Sequence, residues 1–413
     1  MTAPGPAADA TPTALPARAE VVVIGAGIVG AAAARSLAEQ GRDVLLLERY
    51  PRGHEHGSSH GATRIFRQGY DADDYVSLTS EALAAWRALE SASGRTLLDL
   101  TGALDHGRPE MLSAIEAAMT RGGIASERLT PEQASDRWPG LRFDREVLHH
   151  ATGGRLYSAE AIEALLDLAE VAGATLRFGL RVTGVEPTDP DDPAASTAAA
   201  TGAVVRTELG DVVADHVVVA AGSWTPDLVG ALARSVGRPL PEIVVTQVQP
   251  AHFPSGLGAE AWPSFVHYPA EGSSVYGLLT PGEGVKVGLH GGAVHVHPDE
   301  RDGLAEPEEL ARLTAYVAEW VPGVDASAPH TISCLYDLSP SEDFVIDRID
   351  SIIVTTGFSG HGFKFGPVLG RLIAELVDGA EPHPRFALAA HAVPVAPSAS
   401  AFALPQSPEG TAP

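Results

Sequence analysis

The segment Glu20-Val21-Val22-Val23-Ile24-Gly25-Ala26-Gly27-Ile28-Val29-Gly30 decides the fold. Four β-branched residues ending at a glycine predict a strand buried on both faces, as in parallel sheets. Gly25, Gly27 and Gly30 then form a GxGxxG turn into an alanine-rich helix that runs to about Gln40 and stops at Gly41. Asp43–Leu47 reads as the next strand, and Glu48 follows it, 23 positions after Gly25. Glycines let the backbone approach a pyrophosphate at a helix N-terminus, where free N–H groups and the dipole favour an anion. Glu48 is then placed to accept hydrogen bonds from ribose hydroxyls, and a carboxylate there disfavours a 2′-phosphate. The motif alone does not separate FAD from NAD.

Outward from this unit, Tyr75–Glu90 has helical periodicity, helical and loop signals then alternate to about Leu148, and Ser158–Ala172 reads as a helix. Ala174–Phe178 and Arg181–Val185 read as strands. Val204–Glu208, Gly210–Ala214 and His216–Gly222 read as a meander, after a Pro/Asp/Ala loop at 186–201. The last strand ends in AAGSW, a second glycine approach near the nucleotide. Residues 240–298 read as a mostly antiparallel sheet, with strands at Val244–Val248, Ser274–Leu279 and Gly284–Leu289. Glu306–Trp320 is a helix, and Phe344–Asp347, Ile352–Thr356 and a helix Pro367–Asp378 return to the first domain. The expected domains are 18–100, 150–235 and 330–390 for the nucleotide, and 101–149 and 236–329 for substrate. Tails at 1–17 and 391–413 are expected to be flexible.

The 413 residues carry a formal charge of −25, which argues against nucleic-acid or anionic-membrane partners. The longest apolar run, Val21–Ala34, is 14 residues, short of the ~20 a bilayer requires. One cysteine fits a reducing compartment, and the absence of a signal-peptide pattern points to the cytoplasm. Of 28 basic residues only two are lysines, Lys286 and Lys364. A chain that meets ordinary surface charge with arginine keeps lysine where a compact ammonium on a long stem matters. His54, His56, His60, His295 and His297 lack the cysteine or carboxylate partners of a metal site, so no metal is expected. His149-His150 is read as a solvated turn, and Trp262, Phe265, Tyr268 and Tyr276 as core filling.

Three clusters carry chemistry: Ser58–Arg67 (SSHGATRIFR), Gly284–His290 (GVKVGLH), and Cys334-Leu-Tyr336 with Gly357–Gly366 (GFSGHGFKFG). GAGIVG with Glu48-Arg49, SSHGATRIFR, the lone cysteine in CLYDLSPSEDFVID (334–347) and GFSGHGFKFGPVLG (357–370) together resemble the monomeric sarcosine oxidase and N-methyltryptophan oxidase family. The resemblance spans about residues 18–390. It implies an α/β architecture: a Rossmann-like FAD-binding domain of the glutathione-reductase kind with an inserted, mostly antiparallel-sheet substrate domain. It also implies a monomer that oxidises a secondary-amine amino acid, N-methylated or cyclic, to an imine, oxygen taking the electrons as hydrogen peroxide. A dehydrogenase feeding a carrier is the alternative.

By the same resemblance Cys334 attaches the flavin through a thioether. Gly25, Gly27, Ile28, Gly30, Glu48, Arg49, Ser59, His60 and Thr63 contribute to the FAD site. So do Val182, Gly222, Trp224, Gly360, Gly362, Phe363 and Lys364. Arg67 and Lys364 hold the substrate carboxylate; Lys286 promotes reaction with oxygen; Arg64, His290 and Tyr336 line the catalytic pocket. The sequence departs from the family at Ala62, where aspartate is expected, and at Gln68-Gly69, where a His-Ala pair is expected. Both departures bear on which substrate is taken.

Overall fold

The computed structural model describes residues 14–188, 202–291 and 294–392. The expected tails fall mostly outside these residues, as does most of the 186–201 loop. The chain enters the fold at Leu15, which packs against the core, and the first strand is Arg18–Ile24.

Arg18–Ile24 is the centre of an eight-stranded sheet. It pairs in parallel with Val44–Leu47 on one side and Gly210–Val219 on the other. Thr175–Arg177 extends one flank and Ile352–Thr356 the other, both in parallel. Ala203–Thr207 and Val182–Pro187 add an antiparallel edge. The helices Ile28–Glu39, Ser158–Val171 and Gly366–Val377 cover one face, burying Ala31–Ala34, Leu165 and Leu369 in the largest apolar cluster. Small side chains on the first helix allow this close approach. Gly210–Val219 is one continuous strand where two were expected. No turn chemistry interrupts Ala214-Asp215-His216, and the strand pairs antiparallel on one edge and parallel on the other.

A second eight-stranded sheet runs, in spatial order, His330–Thr331, Ala251–Phe253, Gly284–Leu289, Val275–Thr280, Ser264–Tyr268, Ala103–Gly107, Val147–His150 and Glu127–Leu129. All its pairs are antiparallel except Ser264–Tyr268 with Ala103–Gly107. The last three strands correct the reading of residues up to 148 as helices and loops. Ala103–Gly107 and Val147–His150 are buried at every position, so no polar/apolar alternation betrays them. His149-His150 is thereby a strand end inside the protein, not a solvated turn. Two three-stranded sheets lie between the large ones. Thr63–Phe66 pairs with Gly154–Tyr157, and Cys334–Leu338 pairs with Val244–Val248. These short sheets carry residues of the first and third sequence clusters, while the second cluster, Gly284–His290, lies on the large antiparallel sheet.

Candidate active site

A cavity of about 330 Å³ runs from the glycine turn at Gly25–Gly27 to Lys364 and His290. At its nucleotide end, Gly25 adopts φ +102°, and a Cβ there would lie 2.5 Å from the Ala220 carbonyl oxygen. Gly30 does not line the cavity. A Cβ on it would sit 1.9 Å from the Gly25 carbonyl, so its part is to seat the helix against the turn. Glu48 is buried; its carboxylate accepts from the N–H groups of Ala26 (2.8 Å) and Tyr50 (2.9 Å) and faces His54. Burial alone would raise its pKa, but these donors hold it below the usual range, and it stays ionised. The helix opening at Ile28 has no side-chain cap and no acid in its first turn, leaving its N-terminal field for an anion. Ser59 Oγ accepts from Ile28 N–H. Arg49 pairs with Asp299 at 2.6 Å, and Trp224 Nε1 donates to the same carboxylate. Val182 and Gly222 complete this end.

The middle of the cavity is cationic. Arg64 donates to the carbonyls of Thr63 and Ser58, which fixes the bend that brings His60 inward. Lys286 is 3% exposed, and its Nζ donates to Thr63 O at 2.5 Å. Burial, and then the neighbouring Arg64, push its pKa down to about 7. The Thr63 side chain turns away from the cavity to Thr280 (2.7 Å), so this residue contributes its carbonyl rather than its hydroxyl. Cys334 is buried on the cavity wall, its Sγ 3.5 Å from Ser58 O. Its thiol and the Lys286 ammonium thus share one wall. Tyr336 and Tyr276 line the same region and are hydrogen-bonded to each other; burial pushes Tyr276 up to about 12. Tyr276 therefore departs from the core role expected of it, whereas Trp262, Phe265 and Tyr268 are core.

At the far end Arg67 and Lys364 approach opposite parts of the Tyr70 ring, at 4.6 and 5.4 Å from its centroid. Both cations are buried. Lys364 Nζ donates to Tyr70 Oη (2.9 Å) and to His361 O (2.7 Å). Burial and then Arg67 hold Lys364 well below the usual lysine range. His290 beside them is driven down to about 3 by burial, then by Arg67 and Lys364, and is neutral. Gly360, Gly362 and Phe363 bring the glycine-rich loop to the cavity. That loop is anchored from behind by Asp337, whose Oδ2 accepts from Gly357 N–H at 2.9 Å. Tyr70, Asp105, Asp337 and His361 were not singled out from sequence. Of these, Asp337 and His361 lay inside the motifs CLYDLSPSEDFVID and GFSGHGFKFGPVLG, and Tyr70 and Asp105 lay outside any motif.

The model of the family described as FAD dependent oxidoreductase matches residues 20–376, and the chain belongs to that family. Within it the chain is similar to peroxisomal sarcosine oxidase of Mus musculus, 33% identical over 375 residues, covering 86% of this chain and 91% of the relative. Monomeric sarcosine oxidase of Streptomyces avermitilis is 32% identical, covering 88% and 95%. N-methyl-L-tryptophan oxidase of Salmonella agona is 29% identical, covering 88% and 95%. Among solved structures, NikD, described as an unusual amino acid oxidase essential for nikkomycin biosynthesis, superposes with a TM-score of 0.76 at 29% identity, covering 89% and 96%. The protein is an FAD-dependent oxidoreductase acting on amine donors. The site fits that cofactor: Gly25 and Gly27 bring bare backbone to the cavity wall at the helix N-terminus, and the ionised Glu48 beside them can accept from hydroxyls. His60 Nε2 and Ser223 Oγ, both buried on the cavity wall, have no hydrogen-bond partner among the described residues. No helix among the described residues is long and apolar enough to cross a membrane.

Proposed function

We propose that this protein oxidises the carbon–nitrogen bond of an amino acid bearing a secondary amine, N-methylated or cyclic, and passes the electrons to oxygen. The observation that carries this reading is the pair of buried cations, Arg67 and Lys364, closing the same cavity that Lys286 and Cys334 flank. Bound FAD supplies the redox chemistry, taking two electrons from the substrate and delivering them to oxygen as hydrogen peroxide. Arg67 and Lys364 grip the substrate carboxylate and so orient the amine-bearing carbon. His290 and Tyr336 shape the cavity around it as neutral groups and leave the substrate amine unprotonated. Lys286, as an ammonium, stabilises negative charge developing on oxygen without donating a proton. Cys334 would tether the cofactor, its thiolate replacing one hydrogen of a ring methyl group, with the two electrons released taken up by the flavin and then by oxygen.

A screen of N-methyl amino acids, pipecolate and proline for peroxide release tests this reading. Turnover of at least one in air, with no requirement for an added electron acceptor, is the expected result. Turnover only with an artificial carrier would instead support a dehydrogenase.

A further inference from the structure

Gly69, one of the two departures flanking Arg67, lies against a carboxylate. Asp105 sits on the buried strand Ala103–Gly107 with 0% exposure, behind Arg67 and outside the cavity lining. Its Oδ1 is 3.5 Å from Arg67 Nη1 and accepts from Tyr268 Oη at 3.0 Å. Its Oδ2 has no hydrogen-bond partner among the described residues and packs on Gly69, where a Cβ would come within 2.4 Å of it. An alanine at 69, as the family pattern has, would collide with this carboxylate. Gly69 and Asp105 are therefore a matched pair, and they place a negative charge against the cation meant for the substrate.

The charges at this end can be counted. Arg67 is a cation, and Lys364, held well below the usual lysine range by burial and then by Arg67, is the second once a carboxylate lies beside it. His150, His290 and His361 are held neutral, in each case chiefly by burial. Asp105 is the anion; burial raises its pKa, but Arg67 and the Tyr268 hydroxyl oppose the shift. Asp71 acts on Tyr70 and Tyr268 but is only half-buried and lies outside the cavity lining, so two buried cations and one buried anion leave room for one more buried negative charge. A ligand with two carboxylates would leave an unbalanced anion in a buried region that screens it poorly.

We infer that Asp105, admitted by the side-chain-free Gly69, is a specificity-determining residue that restricts the site to substrates with a single carboxylate and excludes amino acids with acidic side chains. This rests on the carboxylate grip of Arg67 and Lys364 proposed above. Asp105 touches neither substrate nor cofactor; it acts through Arg67.

The test uses the flavin-loaded enzyme with propanoate and malonate, a near-isosteric pair differing by one charge, titrated by flavin absorbance and by thermal shift. Wild type should bind propanoate at least about tenfold more tightly than malonate. Asp105→Asn keeps the contact with Tyr268 and removes the charge. It should tighten malonate by about tenfold or more, as loss of one charge a few ångströms away at an effective dielectric near 20 allows. The preference for propanoate should shrink to threefold or less. Gly69→Ala, which keeps every charge and only displaces the carboxylate, should move the ratio the same way by at least about twofold, and it serves if the Asn variant does not fold. An unchanged ratio in the folded variants, or equal weakening of both ligands, would overturn the inference while leaving the grip intact. Failure of wild type to bind propanoate would overturn the grip and the inference together.

Discussion

Replacing Lys286 by methionine isolates the one charge assigned to oxygen chemistry. Methionine nearly matches the lysine stem in length, and the Thr63 carbonyl that loses the ammonium still accepts from Arg64 Nη1 at 2.8 Å. No buried acceptor is orphaned, and a cation confined in a nonpolar wall is removed, so the variant should fold with an equal or higher Tm. The effect on the reaction with oxygen follows from Coulomb's law. A unit charge acting over ~4 Å at an effective dielectric of ~20 is worth about 4 kcal/mol, or roughly 10³-fold in rate. Because burial and Arg64 bring the lysine to about 7, it is half neutral at neutral pH, which trims the effect less than twofold. Stopped-flow mixing of reduced enzyme with oxygen should show a loss of two to three orders of magnitude, while anaerobic reduction by substrate changes less than tenfold. The wild-type reoxidation rate should fall as pH rises through the lysine's own pKa, and the methionine variant should lack that limb. Equal slowing of both half-reactions, or a pH profile that survives the substitution, would refute the assignment.

Arg67→Ala and Lys364→Ala should each raise KM and weaken a monocarboxylate inhibitor by at least about tenfold with a smaller change in kcat; unchanged inhibitor affinity would remove them from the grip. Cys334→Ser should release all flavin on acid denaturation, whereas wild type keeps it, as intact mass will report; flavin lost equally from both would exclude the tether. Asp337 is fully buried and pushed up to about 6, burial outweighing its backbone donors. Its contribution to stability is therefore present below the unfolded value near 4 and is lost as pH rises through about 6. Asp337→Asn, which still accepts from the Gly357 N–H, should gain up to about 3 kcal/mol at pH 8 relative to wild type and nothing at pH 3.5. Parallel denaturation curves at both pH values would show that the carboxyl is not titrating with folding.

How far the sequence could be read depended on whether a signal was local. The strand, glycine turn, helix and Glu48 lie within one stretch, and their physics is contained in it. The two lysines and the cysteine stood out because they are scarce in an arginine-rich chain, and the fold brings all three to one cavity. Ala103–Gly107 was missed because a strand buried on both faces shows no alternation. Asp105 was missed with it, since a lone carboxylate in Ala-Leu-Asp-His-Gly carries no spacing that points 38 residues back to Arg67. Tyr70 likewise acquires a role only when the chain near Lys364 folds against it.

The Gln68-Gly69 departure shows how the local and nonlocal readings join. From the sequence it was only a mismatch beside an arginine. In the fold the two residues do different things. Gln68 donates to Ser80 at 3.2 Å and meets Thr152, a polar contact with no charge at stake. Gly69 is the absence of a methyl group, and the space it leaves is filled by a carboxylate from another sheet. A glycine that needs no positive φ here is retained for what it leaves out. Had residue 69 carried a side chain, Asp105 could not face Arg67, and the cation would meet its substrate unopposed. The pair therefore acts as a unit: once Asp105→Asn has removed the charge, Gly69→Ala should add little, and the double variant should behave like Asp105→Asn alone. Full additivity of the two would separate them.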